Sequence, residues 1–193
     1  MSGVLDQASK TRTERIPGGL SGTHVSAARV VETIKRTEQL PVVFSMASDI
    51  ARRIPSLDSQ GRRNHEAEAR AIYRFVERAI RYTDHPLYAN AVFIEPQFII
   101  DRWEREGLPV AADCISQTML VAVLARNMGI PARARVIGES PRDFYHIHPE
   151  LFINGEWKAA DVTAATATDR KIREAAQLGF RPGAGLEVIY DID

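Results

Sequence analysis

Cysteine is nearly absent from this chain: Cys114 is the one thiol in 193 residues. An internal disulfide is therefore excluded, and a reducing, cytoplasmic setting is expected. An excess of charge of one sign is also missing. The 25 basic and 25 acidic side chains cancel, which leaves no basic footprint for a nucleic-acid partner. Long hydrophobic runs are lacking too. The longest, Met119 to Ala125, falls far short of the roughly 20 residues that span a bilayer. Near the N-terminus, Asp6, Lys10, Arg12, Glu14 and Arg15 interrupt any apolar stretch, so no secretory signal is read there. A soluble protein with no membrane or nucleic-acid partner is expected. What is present suffices for a core, since 45% of the residues are hydrophobic, and the length suits one domain or a domain with an appendage.

The chain opens on a polar stretch ending in Pro17, Gly18 and Gly19, which reads as a flexible arm over residues 1–22. A helical N-terminal region is expected over 23–62. Thr23 would cap a helix from His24 to Arg36, and Pro41 would open a second that stops before Pro55. The remaining residues, 63–193, would form the main core. There Ala69, Ile72, Phe75, Val76, Ala79 and Ile80 mark a helix from His65 to Arg81. A short helix follows over Pro96 to Glu106, and another over Ile115 to Met128, ended by Gly129 and Pro131. The periodicity then changes to that of strands, at Ala132 to Ile137, Tyr145 to Ile153, Glu156 to Ala160 and Leu186 to Ile192, with Asn154-Gly155 as a hairpin turn. Helices first and an antiparallel meander afterwards predict an α+β fold.

Cys114 lies where a polar loop gives way to an apolar helix. Unpaired N–H groups and a positive dipole end favour a thiolate there. Cysteine is also often an inert core residue, so position alone does not decide its role. His146 and His148 alternate with Glu150 on one face of a strand, and either histidine could serve as the base an active thiol needs. These three side chains could also hold a metal. With no second cysteine and no evident fourth ligand, no metal or cofactor is expected. Asp161, after the hairpin's second strand, could accept the imidazole N–H and fix its tautomer. Phe98, Trp103, Phe152 and Trp157 read as core or pocket wall. The alternating Arg133 and Arg135 imply no acidic partner surface.

These residues form a recognisable series: Asp113-Cys114, a helix, Leu124-Ala-Arg-Asn-Met-Gly-Ile-Pro-Ala-Arg133, His146, Asn154-Gly-Glu-Trp157 and Asp161-Val-Thr163. The series resembles the transglutaminase-like superfamily over about residues 67–163, and in particular its compact prokaryotic and phage-encoded members. The resemblance implies a papain-type site with a Cys114-His146-Asp161 triad. It selects His146 over His148, which falls where the family often carries tryptophan. It implies acyl transfer or hydrolysis at a peptide or protein amide through a Cys114 thioester. Gln97 is a candidate oxyanion donor, and His148 and Trp157 are candidate substrate contacts. Ile115-Ser116 departs from the pair of aspartates that often follows the cysteine. An alternative is an inactive binding or assembly module on the same fold, associated with a phage particle.

Overall fold

The computed structural model describes residues 12–14, 19–55, 57–83, 91–140, 143–163 and 186–192. A short strand, β1 (Arg12–Glu14), precedes helices α1 (Gly19–Thr37) and α2 (Pro41–Ala51). Of the arm expected over residues 1–22, two parts are described. Residues 12–14 pair as a strand, and α1 begins at Gly19 rather than after Thr23. Gly22 lowers helix propensity there, but the helix carries Ala27, Val30 and Ile34 into the core, and tertiary packing outweighs the local penalty.

Helix α3 (His65–Ala79) starts at Asn64, whose side chain accepts the Ala67 N–H at 3.1 Å. It ends two residues earlier than the periodicity predicts. Ile80 is already extended and opens β2 (Ile80–Tyr82). Strand β3 (Ala91–Phe93) pairs antiparallel with β1, and α4 (Pro96–Glu106) follows with Pro96 in its first turn. Gly107, at φ +65°, closes α4 in the left-handed conformation that glycine adopts without strain. Strand β4 (Val110–Ala112) pairs parallel with β2, and the Thr83 N–H reaches the Ala112 carbonyl at 2.9 Å. The end of α3 is thus tied to the segment that leads into Cys114. Three-residue strands carry too little alternation to register in a sequence pattern.

Helix α5 (Cys114–Asn127) is the centre of the molecule. Every residue from Cys114 to Ala125 is buried, not only the stripe of Met119, Leu120, Val123 and Leu124. Such a helix needs cover on all sides. Helices α1 to α4 supply it on one side, and a four-stranded antiparallel sheet on the other. The sheet comprises β5 (Ala132–Ser140), β6 (Asp143–Ile153), β7 (Glu156–Ala159) and β8 (Leu186–Asp191), in the order β7-β6-β5-β8. The expected hairpin is present: Asn154 and Gly155, at φ +57° and +86°, make the turn between β6 and β7. Along β6, Ile147, Leu151 and Ile153 join the core. His146, His148, Glu150 and Phe152 occupy the alternate positions and share the other face. Helices in front of an antiparallel meander make this the α+β fold that the sequence predicts.

Candidate active site

The first turn of α5 is built around Asp113. Its carboxylate accepts the Ser116 N–H at 3.1 Å, which satisfies one of the helix's unpaired donors. The Ser116 hydroxyl donates to the same oxygen at 3.3 Å and accepts the Ile94 N–H at 3.3 Å. Cys114 is the first residue of this capped turn and is 3% exposed. The cap consumes the N–H groups of Ser116 and Gln117, and those of Cys114 and Ile115 lie outside it.

His146 comes from β6 and Asp161 from the segment just after β7. The His146 Nε2 and an Asp161 oxygen are 2.7 Å apart, and both residues are buried. The other Asp161 oxygen accepts the Thr163 N–H at 2.9 Å. Burial alone would lower the pKa of His146, because it disfavours the charged ring. The charge and hydrogen bond of Asp161, followed by those of the Cys114 side chain, overcome it and raise the value to about 10. Burial likewise works against the Asp161 carboxylate, yet the adjacent imidazolium holds its pKa below the ordinary value. With Nε2 committed to Asp161, Nδ1 is the ring atom left for proton transfer. It is buried and makes no well-directed hydrogen bond among the described residues.

His148 is the second anomaly. It is 1% exposed, and neither ring nitrogen finds a partner among the described residues. Its ring stacks on that of His146, with centroids 5.6 Å apart and planes at 26°. Burial first, then the positive charge on His146, push its pKa down to about 4, so the ring is neutral at physiological pH. Glu150, grouped with the histidines in the sequence, accepts from Arg133 at 2.7 Å and from Arg135 at 2.6 Å. The two arginines thus find their acidic partner within their own sheet. Two guanidinium groups around Glu150 also oppose its use as a metal ligand. His146, His148 and Asp161 do place ligand-type atoms within 4.8 Å of one another, but the close His146–Asp161 hydrogen bond already engages two of those groups.

Residues 49–162 match the family described as the transglutaminase-like superfamily, more than half of the chain. The chain belongs to the transglutaminase-like superfamily. Among solved structures, it is similar to a candidate protease from Parabacteroides distasonis, with a TM-score of 0.52 and 10% identity over 87% of this chain. It is also matched to a candidate cysteine protease from Cytophaga hutchinsonii, with a TM-score of 0.45 and 18% identity over 77% of this chain. The transglutaminase-like chain spans 31% of the first protein's length and 46% of the second's. At 10% identity the first likeness shows the fold alone. A comparison with curated proteins finds no match.

Other candidates from the sequence occupy varied places in this transglutaminase-like fold. Gln97 is buried in the first turn of α4, and its amide N–H donates to Glu95. Trp157 is not core: it is 37% exposed, faces Phe152 across the hairpin at 5.3 Å, and lies 4.2 Å from the Arg133 guanidinium. Phe152 is likewise partly exposed, whereas Trp103 packs edge-on against Phe75. Gln117 is not among the residues the sequence singles out, and its side chain accepts from Thr163 at 2.7 Å; Ser116, marked in the sequence only as a departure from the family pattern, holds the cap. A helical-position count could have found Gln117, which lies three residues beyond Cys114 and therefore on the same face.

Proposed function

We propose that the chain is a thiol-dependent enzyme that cleaves or transfers peptide-like amides through a thioester on Cys114. The observation that carries this reading is the buried His146 ring, bonded to Asp161 at Nε2 and charge-coupled to Cys114. The family membership agrees with it, and the Parabacteroides neighbour is described as a candidate protease.

In this reading His146 holds the proton of the Cys114 thiol, and the thiolate attacks an amide carbonyl. In the same reading the N–H groups of Cys114 and Ile115, which the cap does not use, would steady the oxyanion. Gln97 is kept as a further donor, through the amide hydrogen that Glu95 does not need. The tetrahedral adduct collapses, the C–N bond breaks, and the leaving amine takes its proton from His146. His146 then removes a proton from the acceptor, water or an amine, whose oxygen or nitrogen bonds to the acyl carbon; the C–S bond breaks and Cys114 leaves as the thiolate beside the protonated His146. Asp161 keeps the ring in one tautomer and stabilises the imidazolium. The neutral His148 and the exposed Trp157 are proposed to face the substrate, where unfilled ring nitrogens and an exposed indole have use.

The test is alkylation of the full chain by iodoacetamide, with turnover of peptide and amine libraries followed by mass spectrometry. Cys114 should be labelled readily near pH 7 and carry a substrate-derived acyl group. Cys114→Ala should lose both. A thiol as slow as that of an unfolded peptide, with no turnover, would refute the enzyme reading. A partner retained equally by both forms would then favour an assembly module.

A further inference from the structure

We infer that Gln117 is a positioning residue for the proposed triad, acting through Thr163 to hold Asp161 in register with Cys114. The inference rests on Cys114 being the nucleophile. Gln117 sits one helical turn beyond Cys114 on α5 and is 2% exposed. Its Oε1 accepts the Thr163 hydroxyl at 2.7 Å. The Thr163 N–H donates to one Asp161 oxygen at 2.9 Å, and the other Asp161 oxygen is 2.7 Å from His146 Nε2. The Cys114 side chain, after Asp161, helps to raise the pKa of His146. The path leaves the first turns of α5 and returns to them.

Its neighbour completes the pattern. The Thr118 hydroxyl donates to the Ile147 carbonyl at 3.2 Å, at the backbone between the two histidines. Consecutive residues of α5 are therefore bonded to the segment that carries Asp161 and to the strand that carries His146. A movement of the cysteine helix would carry both partners with it.

Asp161 follows the last backbone bond to β6, from the Ala160 N–H to the Pro149 carbonyl at 2.9 Å, so its carboxylate is oriented by side-chain and local contacts rather than by the ladder. An apolar side chain of similar volume would fill the place of Gln117 with less penalty. Its Nε2 is buried and has no hydrogen-bond partner among the described residues, a cost that packing alone does not explain.

The experiment uses the full chain with p-nitrophenyl acetate as acyl donor. Rates are taken per titrated thiol, and Cys114 alkylation is followed against pH. Gln117→Met and Thr163→Val should each slow acylation about tenfold, with the double variant no slower than either single one. Each should also lower the His146 imidazole titration by about half a pH unit or more, because a displaced Asp161 holds the imidazolium less well. Thr163→Ser, which keeps the hydroxyl, should stay within about twofold of wild type. Unchanged rates and profiles, or losses that multiply in the double variant, would overturn the inference. If Gln117→Met does not fold, the Val and Ser variants at position 163 decide. If wild type reacts no faster than Cys114→Ala, the enzyme reading fails instead. The His146 NMR titration then tests the tether alone: a downward shift in Thr163→Val supports it, and an unmoved titration refutes it.

Discussion

Two stacked histidines of opposite disposition define the site at the scale of the residue. His146 has its pKa raised to about 10, so its protonation stabilises the fold fully below the unfolded value near 6.5. That contribution is lost as pH rises toward 10. His148 is lowered to about 4 and is neutral in the fold, so its contribution is present above 6.5 and lost as pH falls toward 4. The two slopes occupy different windows, and chain stability should peak near pH 6.5. Urea midpoints from pH 4 to 10 would show this. His148→Phe should flatten the acid side, and Asp161→Asn the alkaline side. A profile unchanged by either substitution would contradict the assignment. Residues 115 and 116 also acquire an explanation. Where the family often carries two aspartates, Ile115 is core and Ser116 is a capping hydroxyl. Neither touches the His146–Asp161 bond, so the departure leaves that pair intact.

Among the elements, α5 decides most. Its start is fixed by Asp113 and Ser116, and its end by Arg126, which pairs with Glu38 at 2.6 Å, and by Gly129. Ser116→Ala would leave the buried Ile94 N–H without its acceptor and loosen the cap. A loss of about 1–3 kcal/mol is expected, read from the urea midpoint. A variant as stable as wild type would show that the capping network contributes nothing. Some element boundaries were legible where a capping or turn residue stood beside a long periodic segment, though not at Thr23, since α1 already begins at Gly19. Helix α4 and the Asn154-Gly155 hairpin are examples. They were not legible at Ile80, where an apolar residue continues the helical stripe and only pairing with Val110 makes it a strand.

For the molecule as a whole, the N-terminal helices matter more than the family match suggests. The match begins at residue 49, inside α2. Ala27, Val30 and Ile34 of α1 nevertheless share one core with α5 and the sheet. Ile34→Ala should therefore cost about 2–5 kcal/mol, although it lies far in sequence from Cys114. Thermal unfolding would check this, and a cost below about 1 kcal/mol would mean that α1 docks only loosely. Among the described residues no helix is long and apolar enough to cross a membrane, which fits the missing hydrophobic runs.

The sequence by itself determined the chain order of α1 to α5 and of β5 to β8, the helix-start placement of Cys114 and the family. Those features rest on local periodicity, capping and motif spacing, which a linear chain displays directly. Only the tertiary structure decided which nitrogen of His146 meets Asp161, that Glu150 is neutralised by Arg133 and Arg135, and that Gln117 reaches Thr163. Those contacts join residues 15 to 46 positions apart, or across the strand register. Burial then sets their strength, and burial belongs to the packed molecule rather than to any one residue.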